Sequence, residues 1–134
     1  MTARAAIDLA LNNPKAATPE KLREAGNGGN WVIQVLGDVQ FDRDRGWYQH
    51  GKVVLSSVGA TSVKLEAEQP QVLLAVCLDT SKTMLRFQKS HKPVPVGPGN
   101  GKRHKVLASV VYAPPVGQTK KAWFLVDEKD SGSC

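Results

Sequence analysis

The stretch QVLLAVCL, residues 71–78, decides the fold of this chain. It is an almost continuous apolar run, preceded by Pro70 and followed by the turn-forming sequence Asp79-Thr80-Ser81. A short apolar run between turn signals is typical of a strand that is buried on both faces. We therefore expect residues 71–78 to form the central strand of a sheet.

On both sides of this run, apolar and polar residues alternate with a period of two, which is the pattern of half-buried strands. Residues 93–101 interrupt the alternation with three prolines, which lack the backbone N–H donor, so this stretch predicts a loop. The sequence thus predicts four or five antiparallel strands. The alternating segments are residues 62–66, into which Val53 and Leu55 lead, then 84–89, 105–112 and 121–127.

The first 45 residues carry helical signals instead. Residues 3–12 hold an apolar stripe that Asn12-Asn13-Pro14 brings to an end. Thr18-Pro19-Glu20 then supplies an N-cap residue, a proline at the first helical position and an acid in the first turn. We expect a second helix from there to about Ala25, ended by Gly26.

The rest of this N-terminal part is harder to assign. Residues 27–30 (NGGN) predict a flexible break. Residues 31–36 (WVIQVL) are rich in β-branched residues, as in a strand. Asn30 as N-cap, with Trp31, Val35 and Val39 spaced by four, favours a helix, and both readings stay open. Residues 41–46 predict an exposed, charged connection.

Helices followed by strands predict an α+β protein, with the helices packed on one face of a curved antiparallel sheet. A chain of 134 residues fits one domain, which we divide into a helical part (1–45) and a sheet part (46–134). No apolar run approaches the ~20 residues of a transmembrane helix, so we predict no transmembrane segment. The N-terminus also lacks a secretory signal, as in a cytosolic protein or one whose signal or lipid-anchor segment has been removed.

Positive charge is concentrated in the second half of the chain. Residues 82–134 hold ten basic and three acidic side chains, a net charge of +7, against +6 for the whole protein. A basic half predicts an acidic partner, either another protein or an acidic surface. The alternative is that these lysines and arginines are solvated, since lysine on edge strands also protects against aggregation.

Two groups of residues are the candidates for partner binding. The segments that flank the loop at 93–101 are expected to be adjacent strands and to form one basic ridge. Trp47 and Tyr48 are a second candidate, because tryptophan and tyrosine are enriched at interface hot spots. Adjacent aromatic residues point to opposite faces of an extended segment, so one of the two can pack inside. The ridge residues are Arg86, Lys89, Lys102, Arg103 and Lys105.

Cys77 and Cys134 are the two cysteines of the chain. A buried free thiol is common, so a pair of cysteines alone is weak evidence for a disulfide. Cys134 follows the polar sequence Asp-Ser-Gly-Ser, however, and an exposed free thiol is a liability. We expect Cys134 to be bonded to Cys77, which clamps the last strand to the sheet and predicts an extracytoplasmic location.

Several short motifs together resemble a known group. They are residues 77–81 (CLDTS), residues 99–103 (GNGKR), Trp123 and the terminal Gly-Ser-Cys at 132–134. With them the chain resembles secreted proteins and lipoproteins of actinobacteria and their phages, which have a nuclear-transport-factor-two-like, or cystatin-like, fold. The resemblance implies a cone-shaped sheet, a disulfide between the strand and terminal cysteines, and an exported domain that is often lipid-anchored. It implies no reaction.

The sequence gives little indication of catalytic residues. No histidine lies at metal-ligand spacing from another ligand, so we predict no metal site and no cofactor. Asp79 is expected to cap its turn rather than to act as a base. Because the domain is expected to be exported, we do not expect nucleic acid as a partner. The sequence thus predicts a non-enzymatic, extracytoplasmic binding domain at the cell envelope; the alternative is a small-molecule-binding or enzymatic domain of the same fold.

Overall fold

The computed structural model describes residues 2–66, 68–95, 103–115 and 117–134. Helices come first and antiparallel strands follow, which confirms the predicted α+β class. The helices are α1 (Thr2–Asn12), a 3-10 turn (Pro14–Ala16), α2 (Pro19–Glu24) and α3 (Gly29–Arg45). The strands are β1 (Trp47–His50), β2 (Val54–Lys64), β3 (Gln71–Asp79), β4 (Met84–Phe87), β5 (Arg103–Ala113) and β6 (Ala122–Asp130).

Local sequence signals set the start of α2 and the end of α3. The Thr18 hydroxyl accepts a hydrogen bond from the Lys21 N–H at 3.3 Å and so caps α2, as predicted. The ambiguous stretch after residue 30 is helical, and α3 ends only at Gly46, whose φ of 69° lies in the left-handed region. Among the described residues, no helix is long and apolar enough to cross a membrane.

The predicted connection at residues 41–46 is therefore wrong, because residues 41–45 are the last turns of α3. Side-chain pairs three and four positions apart stabilise this charged end. The Gln40 amide donates to Asp44 at 2.6 Å, and Arg43 donates to the Gln40 side-chain oxygen at 3.0 Å. The charged residues thus belong to a helix rather than a loop, with Asp44 and Arg45 exposed and Asp42 buried.

The strands form two sheets, where the sequence predicted one. The larger sheet is antiparallel with the order β2-β3-β5-β6, and the smaller pairs β1 with β4. β3 is an inner strand, as predicted for residues 71–78. The predicted adjacency of residues 84–89 and 105–112 is wrong, because β4 pairs with residues 47–50. A four-residue strand such as β1 is too short to show a clear period-two pattern in the sequence.

The hydrophobic core lies between the helices and one face of the larger sheet, here called the inner face. Ile7 of α1, and Val35 and Val39 of α3, pack with Val76, Val106 and Leu125 of the sheet. Each of these side chains is at most 5% exposed. Trp123 of β6 lies outside this core: it is 45% exposed and packs against Tyr112, with ring centroids 5.2 Å apart.

Asn27 joins all three helices to the sheet, in a segment that the sequence predicted to be a flexible break. Its side chain is fully buried, and its Nδ2 donates to the carbonyl oxygens of Ala3 and Leu22, both at 3.1 Å. Its Oδ1 accepts from the Trp31 indole N–H at 3.1 Å. On either side of it, the Gly28 N–H donates to the Leu125 carbonyl and the Leu125 N–H donates to the Gly26 carbonyl. The break is thus a fixed junction.

The C-terminal tail lies next to β5 and ends on β3. The Ser131 N–H donates to the Lys105 carbonyl, and the Lys105 N–H donates to the Gly132 carbonyl, both at 2.8 Å. Lys105 is the register partner of Cys77, so the tail reaches that cysteine. The predicted disulfide between Cys77 and Cys134 is present, with an S–S distance of 2.01 Å.

Replacing Cys134 with serine should lower the free energy of unfolding by roughly 2–4 kcal/mol, because the bond closes a loop between residues 57 positions apart. Denaturant titration of the oxidised protein and of Cys134→Ser measures the difference. Ser133→Ala, in the same exposed tail, is the matched control and should stay within about 0.5 kcal/mol of the wild type. Equal midpoints for all three proteins would contradict a stabilising role of the bond.

Candidate functional site

The small sheet presents one face to the helices and the other outward. Trp47 lies opposite Phe87 and Tyr48 lies opposite Arg86 in the β1–β4 register. Successive side chains of a strand point to opposite faces, so Tyr48 and Arg86 share the face that Trp47 does not. Trp47 meets Phe41 of α3 edge-to-face, with centroids 6.0 Å apart. The outward face is therefore that of Tyr48 and Arg86, as expected for adjacent aromatics on an extended segment.

His91 completes this outward face. The Tyr48 hydroxyl lies 3.0 Å from His91 Nδ1, and the two rings meet edge-to-face at 5.9 Å. Arg86 Nη1 donates to the His91 carbonyl oxygen at 3.0 Å. His91 has a φ of 59°, in the left-handed region, which costs energy for a residue with a side chain. The tyrosine and arginine contacts hold it there.

The turn that carries His91 is closed by backbone hydrogen bonds. The His91 N–H donates to the Phe87 carbonyl, the Phe87 N–H donates to the Lys92 carbonyl, and the Val94 N–H donates to the Leu85 carbonyl. Val94 is buried, so the returning chain is anchored. The turn at residues 88–92 is thus a fixed platform with two exposed lysines, Lys89 and Lys92.

The charge of this surface has one sign. Residues 80–95 contain no acidic side chain, and neither do residues 45–53. We call this surface the basic face and define it by Tyr48, Arg86, Lys89, His91 and Lys92, together with the exposed Lys82 in the turn before β4. Its cations have no acidic neighbour in sequence to neutralise them, so the face would attract an acidic group.

The other predicted ridge residues lie elsewhere. Arg103 and Lys105 belong to β5 in the larger sheet, not to the sheet of Arg86. Arg103 is opposite Asp79 and forms an ion pair with its carboxylate at 3.4 Å. Lys105 lies between Cys77 of β3, its register partner, and the C-terminal tail, with which its backbone is hydrogen-bonded. Lys102 lies outside the described residues. Arg86 and Lys89 therefore do not form one ridge with β5.

Asp79 acts as a turn cap, as predicted. Its Oδ1 accepts a hydrogen bond from the Ser81 N–H at 2.9 Å. The hydrogen bonds from Ser81, helped by the nearby Arg103 guanidinium, hold the pKa of Asp79 below its ordinary value. A carboxylate that is stabilised in its charged form is a poor general base, so these contacts favour a structural role.

A buried ionic cluster on α1 was not predicted. Asp8 is 3% exposed, and its carboxylate accepts from the Gln49 amide at 3.0 Å and from the Val53 N–H at 3.3 Å. Arg4 lies 3.8 Å from Asp8 and 3.4 Å from Glu128 of β6. The cluster therefore ties α1 to both sheets. In the sequence, the i,i+4 spacing of Arg4 and Asp8 is the one signal, and it is typical of exposed pairs too.

Two clefts flank α1. One, of about 230 Å³, is lined by Arg4, Asp8 and Lys52 together with apolar side chains. The other, of about 720 Å³, lies between α1 and α2 and is lined largely by alanines and Leu9. In the described part of the chain, no three His, Cys, Asp or Glu side chains come together so as to hold a metal ion.

Comparison with known proteins identifies the fold and nothing finer. No model of a known protein family matches the sequence, and no curated protein matches it. A solved structure, the intermembrane space region of the chloroplast protein ARC6, is similar with a TM-score of 0.63. The likeness covers 98% of this chain and 90% of that one, at 12% sequence identity. At this identity the match shows a shared α+β architecture.

Burial raises the pKa of Glu128, although Arg4 and His104 nearby act against the shift. The folded protein then holds a proton that the unfolded chain has lost, so the unfolding free energy should fall as pH rises from about 4.5 to the raised pKa. Burial also raises the pKa of Asp42, which acts in the same direction. Glu128→Gln keeps a partner for Arg4 and should flatten this slope.

Denaturant titration at a series of pH values measures the slope for the wild type, Glu128→Gln and the control Glu68→Gln. Glu68 is exposed, so its replacement should leave the slope unchanged. A slope that is the same in Glu128→Gln and in the wild type would show that Glu128 does not carry the pH dependence.

Proposed function

We propose that this chain is a non-enzymatic interaction domain that works outside the cytosol and binds an acidic protein through its basic face. The observation that carries the proposal is the grouping of Tyr48, Arg86 and His91 on the outward side of the β1–β4 sheet, beside the exposed Lys89 and Lys92. Arginine and tyrosine are among the residues most enriched at protein interfaces.

The rigidity of the basic face supports this proposal. Its tyrosine, arginine and histidine side chains are held by contacts with one another, and its turn is fixed by backbone hydrogen bonds. Binding to such a surface costs less conformational entropy than binding to a surface that must first become ordered. The absence of acidic side chains in residues 80–95 favours an acidic partner and fast, salt-sensitive association.

The disulfide supports a location outside the cytosol. Disulfides persist in oxidising compartments and are rare in the reducing cytosol. We further propose a secreted protein or lipoprotein at the cell envelope of an actinobacterium or its phage, with the larger sheet forming a cystatin-like cone. The solved structure of similar architecture is described as the intermembrane space region of the chloroplast protein ARC6.

A small-molecule or enzymatic domain is the alternative, and the Arg4–Asp8 cleft would be its site. Against it, both Asp8 oxygens already accept hydrogen bonds from Gln49 and Val53, and Arg4 already pairs with Asp8 and Glu128. These contacts join helix to sheet, and a structural role accounts for them. The interaction domain remains our proposal.

Replacing Lys82, Lys89 and Lys92 with serine should weaken binding to an immobilised acidic polypeptide, such as polyglutamate, by about tenfold at low salt. The matched control replaces Lys120, Lys121 and Lys129, which are also exposed and carry the same charge. Surface plasmon resonance over a salt series gives the rates, and we expect the association rate to fall mainly in the first variant. An equal loss in both triple variants would mean that net charge, not the basic face, drives binding.

The location can be tested in the native organism. A membrane-impermeant amine reagent applied to intact cells should label lysines of this protein, as it labels known surface proteins and not a cytosolic marker. Labelling only after lysis, with both cysteines found as free thiols, would contradict the extracytoplasmic location.

A further inference from the structure

The two edge strands of the larger sheet, β6 and β2, differ in whether other parts of the chain pair with their outer sides. The edge of β6 is covered, since Gly26 and Gly28 exchange backbone hydrogen bonds with Leu125 and Asn27 forms a parallel bridge to it. β2 is the other edge, and no described residue pairs with its outer side. Its eleven residues therefore present an open row of N–H and carbonyl groups.

β2 has little of the usual protection of an edge strand, namely Lys64 at its end and two irregularities in its register. Residues 54–63 contain no charged side chain and no proline, the two residue types that most often block edge pairing. Val54, Val58 and Val63 are 42%, 52% and 54% exposed. Val58 and Val63 lie opposite Val76 and Val72 of β3, so they extend the apolar inner face to the very edge of the sheet.

The two irregularities of β2 lie on either side of Gly59, and each places two residues of β2 opposite one residue of β3. Relative to β3, the strand has an extra residue at Ser56 and another at Thr61. The two-residue units 56–57 and 61–62 are thus equally far from Gly59. If a second copy pairs antiparallel so that residues equally far from Gly59 face each other, the bulged units meet each other. Leu55 then faces Val63 and Val58 faces Ala60, all on the inner face.

Neither space nor backbone conformation requires a glycine at position 59 within one copy of the chain. A Cβ built on it meets no atom within 4 Å, and its φ is not in the left-handed region. Glycine in a strand interior is destabilising and often marks a place where another backbone approaches closely. At the centre of a self-pairing edge, Gly59 would face Gly59 of the second copy.

We propose that two copies of this chain pair through β2, antiparallel about a two-fold axis at Gly59, and join their larger sheets into one. The charges at the ends fit this register. Lys52 and Glu66 are both exposed, equally far in sequence from Gly59 and two residues beyond the ends of β2, so continued pairing would bring Lys52 of each copy opposite Glu66 of the other. A peptide of unrelated sequence would not share this symmetry of bulges, apolar residues and charges, which is why we assign the edge to a second copy.

Sedimentation over a concentration series, micromolar to near-millimolar, should show a monomer–dimer equilibrium for the wild type. Gly59→Lys places like charges opposite each other on the axis and should weaken the dimer more than tenfold. Gly37→Lys is the matched control, because Gly37 is exposed on α3 and a Cβ there also meets no atom within 4 Å. We expect it to dimerise like the wild type.

A charge exchange tests the register. Glu66→Lys should weaken the dimer by about tenfold, since both end pairs become repulsive, and adding Lys52→Glu should restore it. In Gly59→Cys, the two new thiols should form an intermolecular disulfide, because directly opposed residues have Cα atoms roughly 4.5–5.5 Å apart. Gly37→Cys should not.

Three outcomes would overturn the proposal. The first is a monomer at every concentration, with no more crosslinking in Gly59→Cys than in Gly37→Cys. The second is a dimer that Gly59→Lys and Glu66→Lys leave intact, which would place the interface elsewhere. The third is a dimer that Lys52→Glu does not restore in the Glu66→Lys background, which would exclude this register.

Discussion

The buried side chain of Asn27 holds the helical layer on the sheet, and much of the architecture depends on it. Its amide donates to the carbonyl oxygens of Ala3 and Leu22, and its oxygen receives the Trp31 N–H. In a buried site each of these groups would be costly if it were unpaired. Because the backbone on either side of Asn27 pairs with Leu125, the same junction also covers the β6 edge of the sheet at that residue.

The central strand β3 needs cover on both of its faces, and the chain provides it in two different ways. Helices cover Val76 and Leu78 on the inner face, where apolar packing suffices. On the other face the disulfide joins Cys77 to Cys134 at the end of the tail, and Ser131 and Gly132 pair with Lys105 of the neighbouring strand β5. A covalent bond suits this place, since four tail residues could not bury enough apolar surface to remain in position by themselves.

The sequence predicted those features that depend on local pattern. The continuous apolar run of β3, the capped start of α2 and the turn at Asp79 all follow from the residues beside them, and the cysteine pair followed from its context. The roles of Asn27 and β1 could not be predicted, because they are set by residues that are distant in the sequence. A polar NGGN segment is typical of a loop until one knows that three helices converge on it. The basic face could be predicted only in part: Arg86, Lys89 and Tyr48 were named, but Arg103 and Lys105 belong to another sheet.

The two proposed surfaces are compatible, because they belong to different sheets. Pairing through β2 would use an edge of the larger sheet and would leave the β1–β4 sheet of each copy free. A two-fold dimer would then present two identical basic faces in a fixed relative orientation. Two linked sites bind a repeated acidic surface more tightly than either does alone, provided that their spacing matches the repeat. Weak single contacts through exposed lysines, each contributing less than about 1 kcal/mol, would then suffice for stable attachment, and the rigid sheet between the two faces would select partners by the spacing of their acidic groups.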